Sequence, residues 1–417
     1  MAKLSEILKE RGYVYQHSSE KLEEITDGPK RTLYLGIDPS SDSLHVGHLQ
    51  AMLVLRRFLE DEHKVILLIG GGTGMIGDPS GKSEERNLLD DATIDQNAAA
   101  IAEQSKKLFG GLEFELMNNA DWLRSLNYIE FLRDIGKHFS VNAMLQRDSV
   151  KDRLKNKEEG ISYTEFSYML LQSYDFLHLH ESHGCDLQIG ASDQWGNIAS
   201  GIDLIRRKTG DVVYGFTSPL LVNKATGKKF GKSEGGTVWL DPAKTTPFQF
   251  YQFWLNAEDE NLKEYLFKMT MLLKTEIAAV LELQKREPKR RHAQQALARE
   301  VTTLVHGEEE AAKAEQVSQV LFGDGSLEGL NAGTLEMLKT AAPTQSVGVG
   351  TNIADALVAA KLAGSKREAR QFLKEGAVAL NGQVIDDEKR DLTQEDFHSS
   401  LALLTRGKKS VCVLTLS

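Results

Sequence analysis

Residues 33–48 read LYLGIDPSSDSLHVGH, and this stretch predicts the fold of the chain. An apolar strand gives way to turn and capping residues, after which the pattern predicts a helix over residues 44–60. His45 and His48 are three residues apart, so both imidazoles lie on one face of the first helical turn, beside unpaired backbone N–H groups and the positive end of the helix dipole. Gly47 has no Cβ, which lets a flat ring such as adenine lie against the backbone. We expect a triphosphate site here.

A second segment, residues 224–236, reads KATGKKFGKSEGG. Its small and charged residues cannot pack a core, but they can close over an anion, with Lys229 and Lys232 placing ammonium groups on phosphate oxygens. Taken singly, each motif has a plainer interpretation, because a histidine pair can be incidental and a lysine-rich loop can be a solvated turn. Together the two motifs predict nucleotidyl transfer.

Length and composition restrict the class of protein. A chain of 417 residues is too long for one core, so two or three domains are expected. Cys185 and Cys412 lie far apart and form no disulfide framework, and the N-terminal segment has no apolar signal core, so a cytoplasmic protein is expected. The apolar run at residues 65–69 is too short to span a membrane and is typical of a buried parallel strand. A net charge of −10 restricts any RNA contact to local basic patches.

The pattern of elements predicts an α/β protein with several parts. Residues 1–220 alternate apolar strands with helices, which is typical of a parallel sheet covered on both faces, and an insertion interrupts this alternation at about 113–160. Residues 221–322 contain the lysine-rich loop and then helices. Residues 323–350 have many small residues and weak periodicity, so we expect a linker. Residues 351–417 are predicted to form a compact module.

The C-terminal module is predicted to contain two helices and a hairpin. Ser365 is expected to cap the second helix, Gly376 to end it, and Asn381-Gly382 to form a tight turn. Three cations lie at helical spacing on one surface of that helix, Lys366, Arg367 and Arg370. A solvated face and an RNA contact both fit this spacing.

Three motifs look informative and are rejected. The glycines of 72–77 match the dinucleotide fingerprint, but a turn-forming run follows where a long helix should begin. Residues 77–83 resemble a P-loop with three intervening residues where four are required. His178, His180, His183 and Cys185 suggest zinc, but helical spacing spreads the first two over different faces and no second ligand cluster exists.

The order and separation of the two signature segments resemble those of class I aminoacyl-tRNA synthetases. Residues 161–176 (ISYTEFSYMLLQSYDF) and 187–197 (LQIGASDQWGN) are similar to the bacterial tyrosyl-tRNA synthetases, and the resemblance covers about residue 30 to the C-terminus. It implies a Rossmann-like catalytic domain with a dimer contact in the insertion, a helical anticodon-side domain and a small α+β RNA-binding module of the alpha-L type. The implied reaction joins tyrosine to ATP, with magnesium and no bound prosthetic group, and transfers the tyrosyl group to tRNA.

The resemblance also implies roles for individual residues. Tyr34 and Asp175 would bind the tyrosine hydroxyl, and a second set would bind its ammonium and carboxylate groups: Asp78, Tyr168, Gln172 and Gln194. His45, His48, Lys229 and Lys232 are the implied catalytic residues. Nucleotide contacts are implied for Gly36, Asp38, Ser40, Gly47, Lys82, Arg86, Asp193 and Ser233. The implied RNA contacts are Lys366, Arg367, Arg370, Arg406, Lys408 and Lys409.

Two alternatives stay open on the sequence. A tryptophanyl-tRNA synthetase shares the architecture but needs a different pocket from Tyr34 and Asp175. A non-catalytic RNA-binding relative has no use for the intact histidines and lysines of the two signature segments. Leu35 and Ser40 depart from residues that relatives often have, which bears on nucleotide affinity and leaves the reaction class unchanged.

Overall fold

We describe the fold from a computed structural model, which describes residues 2–80, 90–155, 160–221, 230–233, 236–407 and 410–417, without the side chains of 148, 149, 152, 155, 232 and 233. The chain forms two compact units, one of residues 1–244 with 258–286 and the other of residues 245–257 with 287–417. No helix in the described ranges is both long enough and apolar enough to cross a bilayer.

The first unit is built on a six-stranded sheet with the strand order β1-β6-β5-β2-β3-β4. Only β1 is antiparallel to its neighbour, so the described strands β2 to β6 form a parallel sheet, as the alternating pattern predicted. The chain order reverses between β2 and β5, and ligands of such sheets bind beyond the carboxyl ends of the strands at this reversal. The strands are β1 (Gln16–His17), β2 (Thr32–Ile37), β3 (Lys64–Ile69), β4 (Glu115–Asn118), β5 (Cys185–Ala191) and β6 (Tyr214–Ser218).

Helices complete the first unit. Those before β5 are α1 (Leu4–Glu10), α2 (Leu22–Thr26), α3 (Val46–Glu60), α4 (Asp91–Leu108), α5 (Ala120–Leu123), α6 (Tyr128–Asp134), α7 (Val141–Leu145), α8 (Asp148–Lys155) and α9 (Tyr163–His183). After β5 come α10 (Trp195–Lys208), the short strands β7 (Lys232–Ser233) and β8 (Gly236–Thr237), and helices α12 (Asp259–Met269) and α13 (Lys274–Arg286). Helix α3 begins at Val46, two residues later than predicted, because His45 is its N-cap.

Helix α9 has clear start and stop signals. The Ser162 hydroxyl accepts a hydrogen bond from the backbone N–H of Glu165 at the start of the helix. At its end Gly184 has the left-handed backbone conformation, with φ of 64°. These two signals fix a 21-residue helix that ends directly before β5 and includes Tyr168, Gln172 and Asp175.

The second unit begins with helices and ends with a five-stranded sheet, order β11-β10-β12-β13-β9. Its helices are α11 (Pro247–Leu255), α14 (His292–His306), α15 (Glu308–Phe322), α16 (Ala332–Ala341), α17 (Ile353–Ala359) and α18 (Lys366–Lys374). Its strands are β9 (Thr344–Val347), β10 (Val378–Leu380), β11 (Gln383–Val384), β12 (Leu401–Arg406) and β13 (Ser410–Leu416).

Residues 323–350 are not a linker, in contrast to the prediction. They contain helix α16 and strand β9, and β9 pairs in parallel with β13. Leu335 and Leu338 of α16 share one buried cluster with Leu403 and Val413 of the C-terminal sheet. The sequence pattern did not predict this helix because α16 is short and buries only two large apolar side chains, Leu335 and Leu338, among small residues.

The C-terminal module has the local structure that the sequence predicted. The Ser365 hydroxyl caps α18 by accepting from the N–H of Glu368, and Gly376 follows the helix with a positive φ. Asn381 and Gly382 both have positive φ and join β10 to β11. This conformation at both turn residues is that of the tight hairpin turn that Asn-Gly favours.

Candidate functional site

The side chain of Tyr34, on β2, is buried in the core of the first unit. The side chain is 1% exposed, and its hydroxyl has no hydrogen-bond partner in the structure. Burial, followed by the nearby Asp175 carboxyl, raises the pKa of Tyr34 well above its usual value. Because leaving a buried hydroxyl unpaired costs free energy, this atom indicates a ligand with a polar group at the end of the pocket.

Asp175 is fully buried and is held by two donors. The amide of Asn119 donates to Oδ2 at 2.8 Å, and the indole N–H of Trp122 donates to Oδ1 at 2.8 Å. Burial raises the pKa of Asp175 to about 7 although both donors lower it. The carboxyl therefore has a fixed orientation and can change its charge near neutral pH.

An apolar wall surrounds this polar end. The Phe176 and Tyr34 rings lie 5.4 Å apart between centroids, and Ile66 and Leu68 belong to the same buried cluster. Gln188, in register with Tyr34 on β5, is buried and its Oε1 has no hydrogen-bond partner in the structure. An aromatic side chain with one polar end suits such a pocket.

A second polar group lies where α9 and α10 approach the ends of the strands. Gln194 donates to the Asp78 carboxylate at 2.7 Å, and Gln172 donates to Gln194 at 3.3 Å. Asn197 donates to Gln172 Oε1 at 2.9 Å. These contacts bring together three residues that the sequence assigned to one substrate end, and they add Asn197, which the sequence analysis missed.

Asp38 connects the two polar groups. Its Oδ2 accepts from the Tyr168 hydroxyl at 3.1 Å, and its Oδ1 accepts from the Thr73 hydroxyl at 2.9 Å. Thr73 in turn accepts from Asn119 at 2.9 Å. Burial, and then Asp38, raises the pKa of Tyr168 well above its usual value. The structure thus places Asp38, which was assigned to the nucleotide, among the residues expected to bind the amino acid.

The glycines after β3 allow polar side chains to approach the backbone closely. A Cβ on Gly70 would lie 2.2 Å from Asp38 Oδ1, and a Cβ on Gly71 would lie 2.2 Å from Asn118 Oδ1. The N–H of Gly72 donates to Asn119 Oδ1 at 2.7 Å. These glycines therefore leave room for the polar side chains beside them. The pair Asn118-Asn119 at the end of β4 is a sequence signal for polar groups at this edge, but it assigns no role to Asn119 or Trp122.

The two signature histidines cap their own helix. His45 Nδ1 accepts from the N–H of Gly47 at 3.0 Å, and His48 Nδ1 accepts from the N–H of His45 at 3.2 Å. The prediction of unpaired N–H groups at this helix start is thus wrong for these two, because the imidazoles occupy them. When Nδ1 accepts, a neutral imidazole has its proton on Nε2, so both rings present an Nε2–H donor. The ring centroids are 3.9 Å apart.

The position of the His45 ring requires a glycine at residue 47. A Cβ at this position would lie 2.7 Å from Cε1 of His45, closer than real Cβ contacts occur. The absence of a Cβ at Gly47 therefore makes room for the folded-back His45 ring, in addition to the adenine contact predicted from the sequence.

The segment after the lysine-rich loop pairs with the histidine segment. Val46 donates its N–H to Val238 O at 3.0 Å, and Leu240 donates to Leu44 O at 2.9 Å. Trp239 forms an isolated β-bridge with His45, and their rings are 6.0 Å apart. This pairing joins the histidine segment to residues 238–240, and it adds Trp239 to the residues that the sequence analysis missed.

The structure describes only some of the residues that were predicted to bind the nucleotide. Lys82, Arg86 and Lys229 lie outside the described residues, while Lys232 and Ser233 are described as backbone of β7. Asp193 lies half-buried in a 3-10 turn directly after β5. Gly36 and Ser40 are exposed at the end of β2 and in the turn that follows it.

The basic face of α18 differs in detail from the prediction. Arg367, Arg370 and Lys374 line one shallow depression. Lys366 forms an ion pair with Asp355 at 2.6 Å, and Lys374 forms a longer one with Glu388 at 3.7 Å. Lys374 is therefore a cation that the sequence analysis did not include. The Arg406 guanidinium stacks on the Phe372 ring at 4.9 Å, and Lys408 and Lys409 lie outside the described residues.

The histidines near the end of α9 have separate contacts. His180 contacts the Cys185 carbonyl through Nδ1 and the Asp211 carboxylate through Nε2. His178 stacks on Trp122 with ring centroids 4.4 Å apart. These rings take part in packing and hydrogen bonding.

Comparisons with known proteins agree with this geometry. Residues 26–323 match the family described as tRNA synthetases class I (W and Y), and residues 335–414 match the tyrosine–tRNA ligase SYY-like C-terminal domain. The chain therefore belongs to the class I aminoacyl-tRNA synthetases. The chain is 46% identical to a tyrosine–tRNA ligase of Roseiflexus castenholzii, with 100% of both chains covered, and 47% identical to one of Staphylococcus saprophyticus, with 97% of each covered.

A solved structure extends the comparison. The C-terminally truncated mitochondrial tyrosyl-tRNA synthetase of Aspergillus nidulans is 31% identical, with a TM-score of 0.69, and the match covers 77% of this chain and 95% of that one. The chain therefore belongs to the tyrosine–tRNA ligase family.

Proposed function

We propose that this protein activates L-tyrosine with ATP, releasing pyrophosphate, and then transfers the tyrosyl group to the 3′ end of tRNA(Tyr). The observation that carries the choice of amino acid is the unpartnered Tyr34 hydroxyl beside the buried Asp175 carboxyl. A phenol hydroxyl both donates and accepts, so it can donate to Asp175 and accept from Tyr34. Phenylalanine would leave the Tyr34 hydroxyl unpaired and give Asp175 no donor beyond Asn119 and Trp122, and the indole of tryptophan has no acceptor for Tyr34.

The other end of tyrosine is bound by the second polar group. An ammonium ion needs acceptors, and Asp78, Tyr168 and Gln172 supply a carboxylate, a phenol oxygen and an amide oxygen. Gln194, which already donates to Asp78, provides an amide N–H for the substrate carboxylate. The amino acid is thus held at three polar points around an apolar ring.

Adenylate formation needs no covalent enzyme intermediate. A tyrosine carboxylate oxygen attacks the α-phosphorus of ATP, and the bond to the bridging oxygen of pyrophosphate breaks. The Nε2–H donors of His45 and His48, together with Lys229 and Lys232, stabilise the charge that develops on the phosphates. ATP enters as its magnesium complex, and the reaction uses no prosthetic group.

Further nucleotide contacts belong to the same proposal. His48 lies near the ribose and phosphate, His45 and Ser40 reach the terminal phosphates, and Asp193 accepts from the ribose hydroxyls. The remaining contacts are assigned to Gly36, Gly47, Lys82, Arg86 and Ser233, whereas Asp38 is assigned to the amino-acid site because it accepts from Tyr168.

The second step moves the tyrosyl group to RNA. A hydroxyl of the terminal ribose of tRNA attacks the carbonyl carbon of tyrosyl-adenylate, and AMP leaves. The cations of α18 and its surroundings bind phosphates, which fits a tRNA-binding module of the alpha-L type in a chain whose net charge is −10. These cations are Lys366, Arg367, Arg370, Arg406, Lys408 and Lys409.

A homodimer explains the apolar surface of the insertion. Helix α6 has no buried residue, and Tyr128, Ile129, Val141 and Tyr163 are each at least 58% exposed. Large apolar side chains clustered at a surface are typical of an interface. Sedimentation of Ile129→Asp against the unaltered protein tests this proposal, since loss of the dimer supports it and an unchanged dimer contradicts it.

A cytoplasmic location is part of the same proposal. Cys185 and Cys412 are both free and buried. Unpaired thiols are ordinary in a reducing compartment.

Pyrophosphate exchange into ATP, measured with each of the twenty amino acids, tests the proposed activity. Exchange that depends on tyrosine, followed by charging of tRNA(Tyr), supports it. Exchange that depends on tryptophan would assign the other branch of the family. RNA binding without any exchange would indicate the non-catalytic alternative.

A further inference from the structure

His178 contacts a residue of the tyrosine pocket without lining the pocket itself. Its imidazole lies against the indole of Trp122, with ring centroids 4.4 Å apart and planes inclined by 23°. Burial is the main cause that lowers the pKa of His178, so the ring is neutral at neutral pH. The pair is thus an aromatic stack, and neither partner needs a charge for it.

Trp122 is attached to helix α9 at two points. Its indole N–H donates to Asp175 at 2.8 Å, and its ring face covers His178. Asp175 and His178 are three residues apart, so they lie on the same face of the helix. The hydrogen bond fixes the position of the indole N–H, and the stack fixes the plane of the indole ring.

We propose that His178 is a positioning residue for tyrosine recognition, which acts by holding the Trp122 indole in the plane that directs its N–H to Asp175. This inference rests on the proposed role of Asp175 in binding the substrate hydroxyl. Without the stack, the indole can tilt, and the carboxyl keeps only the amide of Asn119 as a fixed donor. The carboxyl then loses its defined orientation toward the substrate hydroxyl.

The nature of the stack determines which substitutions are informative. His178→Leu fills similar space and suits a helix, but it has no flat ring. His178→Phe keeps a flat ring and removes the ring nitrogens. His183→Leu removes another histidine from the same helix, one that contacts Glu115 at 3.9 Å, and serves as the matched control.

Steady-state pyrophosphate exchange separates positioning from a general structural effect. We expect His178→Leu to raise the KM for tyrosine roughly three- to ten-fold, the range that one aromatic pair contributes. The preference for tyrosine over phenylalanine should fall by a similar factor, while the KM for ATP and the kcat at saturating tyrosine stay unchanged. His178→Phe and His183→Leu should behave like the unaltered protein.

Asp175→Asn, measured in the same assay, distinguishes this inference from the pocket assignment on which it depends. If Asp175→Asn changes selectivity and His178→Leu does not, the positioning role is refuted and the pocket stands. Equal losses in His178→Leu and His178→Phe would also refute it, because the stack would then not be the cause. Unchanged selectivity in Asp175→Asn would refute the pocket assignment itself.

Discussion

Asn119 donates to Asp175 Oδ2 at 2.8 Å through the same amide nitrogen that donates to the Thr73 hydroxyl at 2.9 Å. Thr73 donates in turn to Asp38, which accepts from Tyr168. The residues for the two ends of tyrosine are therefore joined by one hydrogen-bonded chain. Since each group in the chain orients its neighbour, substitutions at one end should not be independent of those at the other.

The Tyr34→Phe/Asp175→Asn double variant should discriminate less well between tyrosine and phenylalanine. Each change removes part of the polar pocket, and an unpaired buried group costs about 1–3 kcal/mol, or roughly 5- to 150-fold in binding. The measurement is kcat/KM in pyrophosphate exchange with both amino acids. Unchanged selectivity would show that the hydroxyl is recognised elsewhere.

Tyrosine binding should weaken as pH falls through about 7. Burial raises the pKa of Asp175 to about 7, and the substrate hydroxyl donates to the ionised carboxylate. In the free protein, a carboxyl with a raised pKa contributes stability that is present below its unfolded value of 3.8 and is lost as pH rises through about 7. Because tyrosine favours the ionised form, the increase in Tm that it causes should grow from pH 6 to pH 8.

The control for this pH dependence is the Asp175→Asn variant, whose amide does not titrate in this range. Its tyrosine-induced shift in Tm should be smaller and independent of pH. A shift that grows equally in both proteins would assign the titration to another group.

Lys229→Ala and Lys232→Ala should slow tyrosyl-adenylate formation by roughly 100-fold, the usual effect of removing one group that stabilises transition-state charge. Tyrosine affinity should stay nearly intact, because the loop acts on the phosphates. Single-turnover kinetics and equilibrium tyrosine binding measure the two effects, with Lys228→Ala as a neighbouring control. A collapse of tyrosine affinity at an unchanged rate would make the loop structural.

Sequence patterns predicted the parallel sheet and the two signature segments because each depends on neighbouring residues. Asn119 and Trp122 could not be assigned in this way, since their roles arise only when β4 lies beside β3 and α5 approaches α9. The folded-back ring of His45 could not be predicted either. A histidine that caps its own helix and one that binds phosphate occupy the same sequence position at the helix start. In the C-terminal part, the spacing of α18 predicted a basic face, but the ion pair of Lys366 with Asp355 depends on tertiary contact.

Arg153 and Glu165 form a buried pair that should be important for the stability of the first unit. The guanidinium donates to both carboxylate oxygens, at 2.8 and 2.9 Å, and the two side chains are 4% and 3% exposed. Arg153→Met leaves an uncompensated buried charge at the start of α9, which should cost about 3–5 kcal/mol. Urea unfolding measures this cost. Arg153→Met/Glu165→Gln should recover much of the loss, and equal stability of both variants would contradict the pairing argument.

The contribution of the C-terminal module to tRNA binding should be tested by changing charges. Removing residues 351–417 would expose the cluster in which Leu335 and Leu338 pack against Leu403 and Val413, so truncation would confound binding with folding. The triple alanine variant of three exposed cations of α18 leaves that core intact: Arg367, Arg370 and Lys374.

We expect this triple variant to form tyrosyl-adenylate normally and to bind tRNA more weakly. The slope of log affinity against log salt should become shallower by about 0.7 to 0.9 for each RNA phosphate that the variant no longer neutralises. A triple alanine variant of exposed lysines in the first unit, Lys64, Lys106 and Lys107, removes the same charge and should keep the original slope. If both triple variants bind and charge tRNA equally well, with the same salt slope, α18 does not contact the RNA.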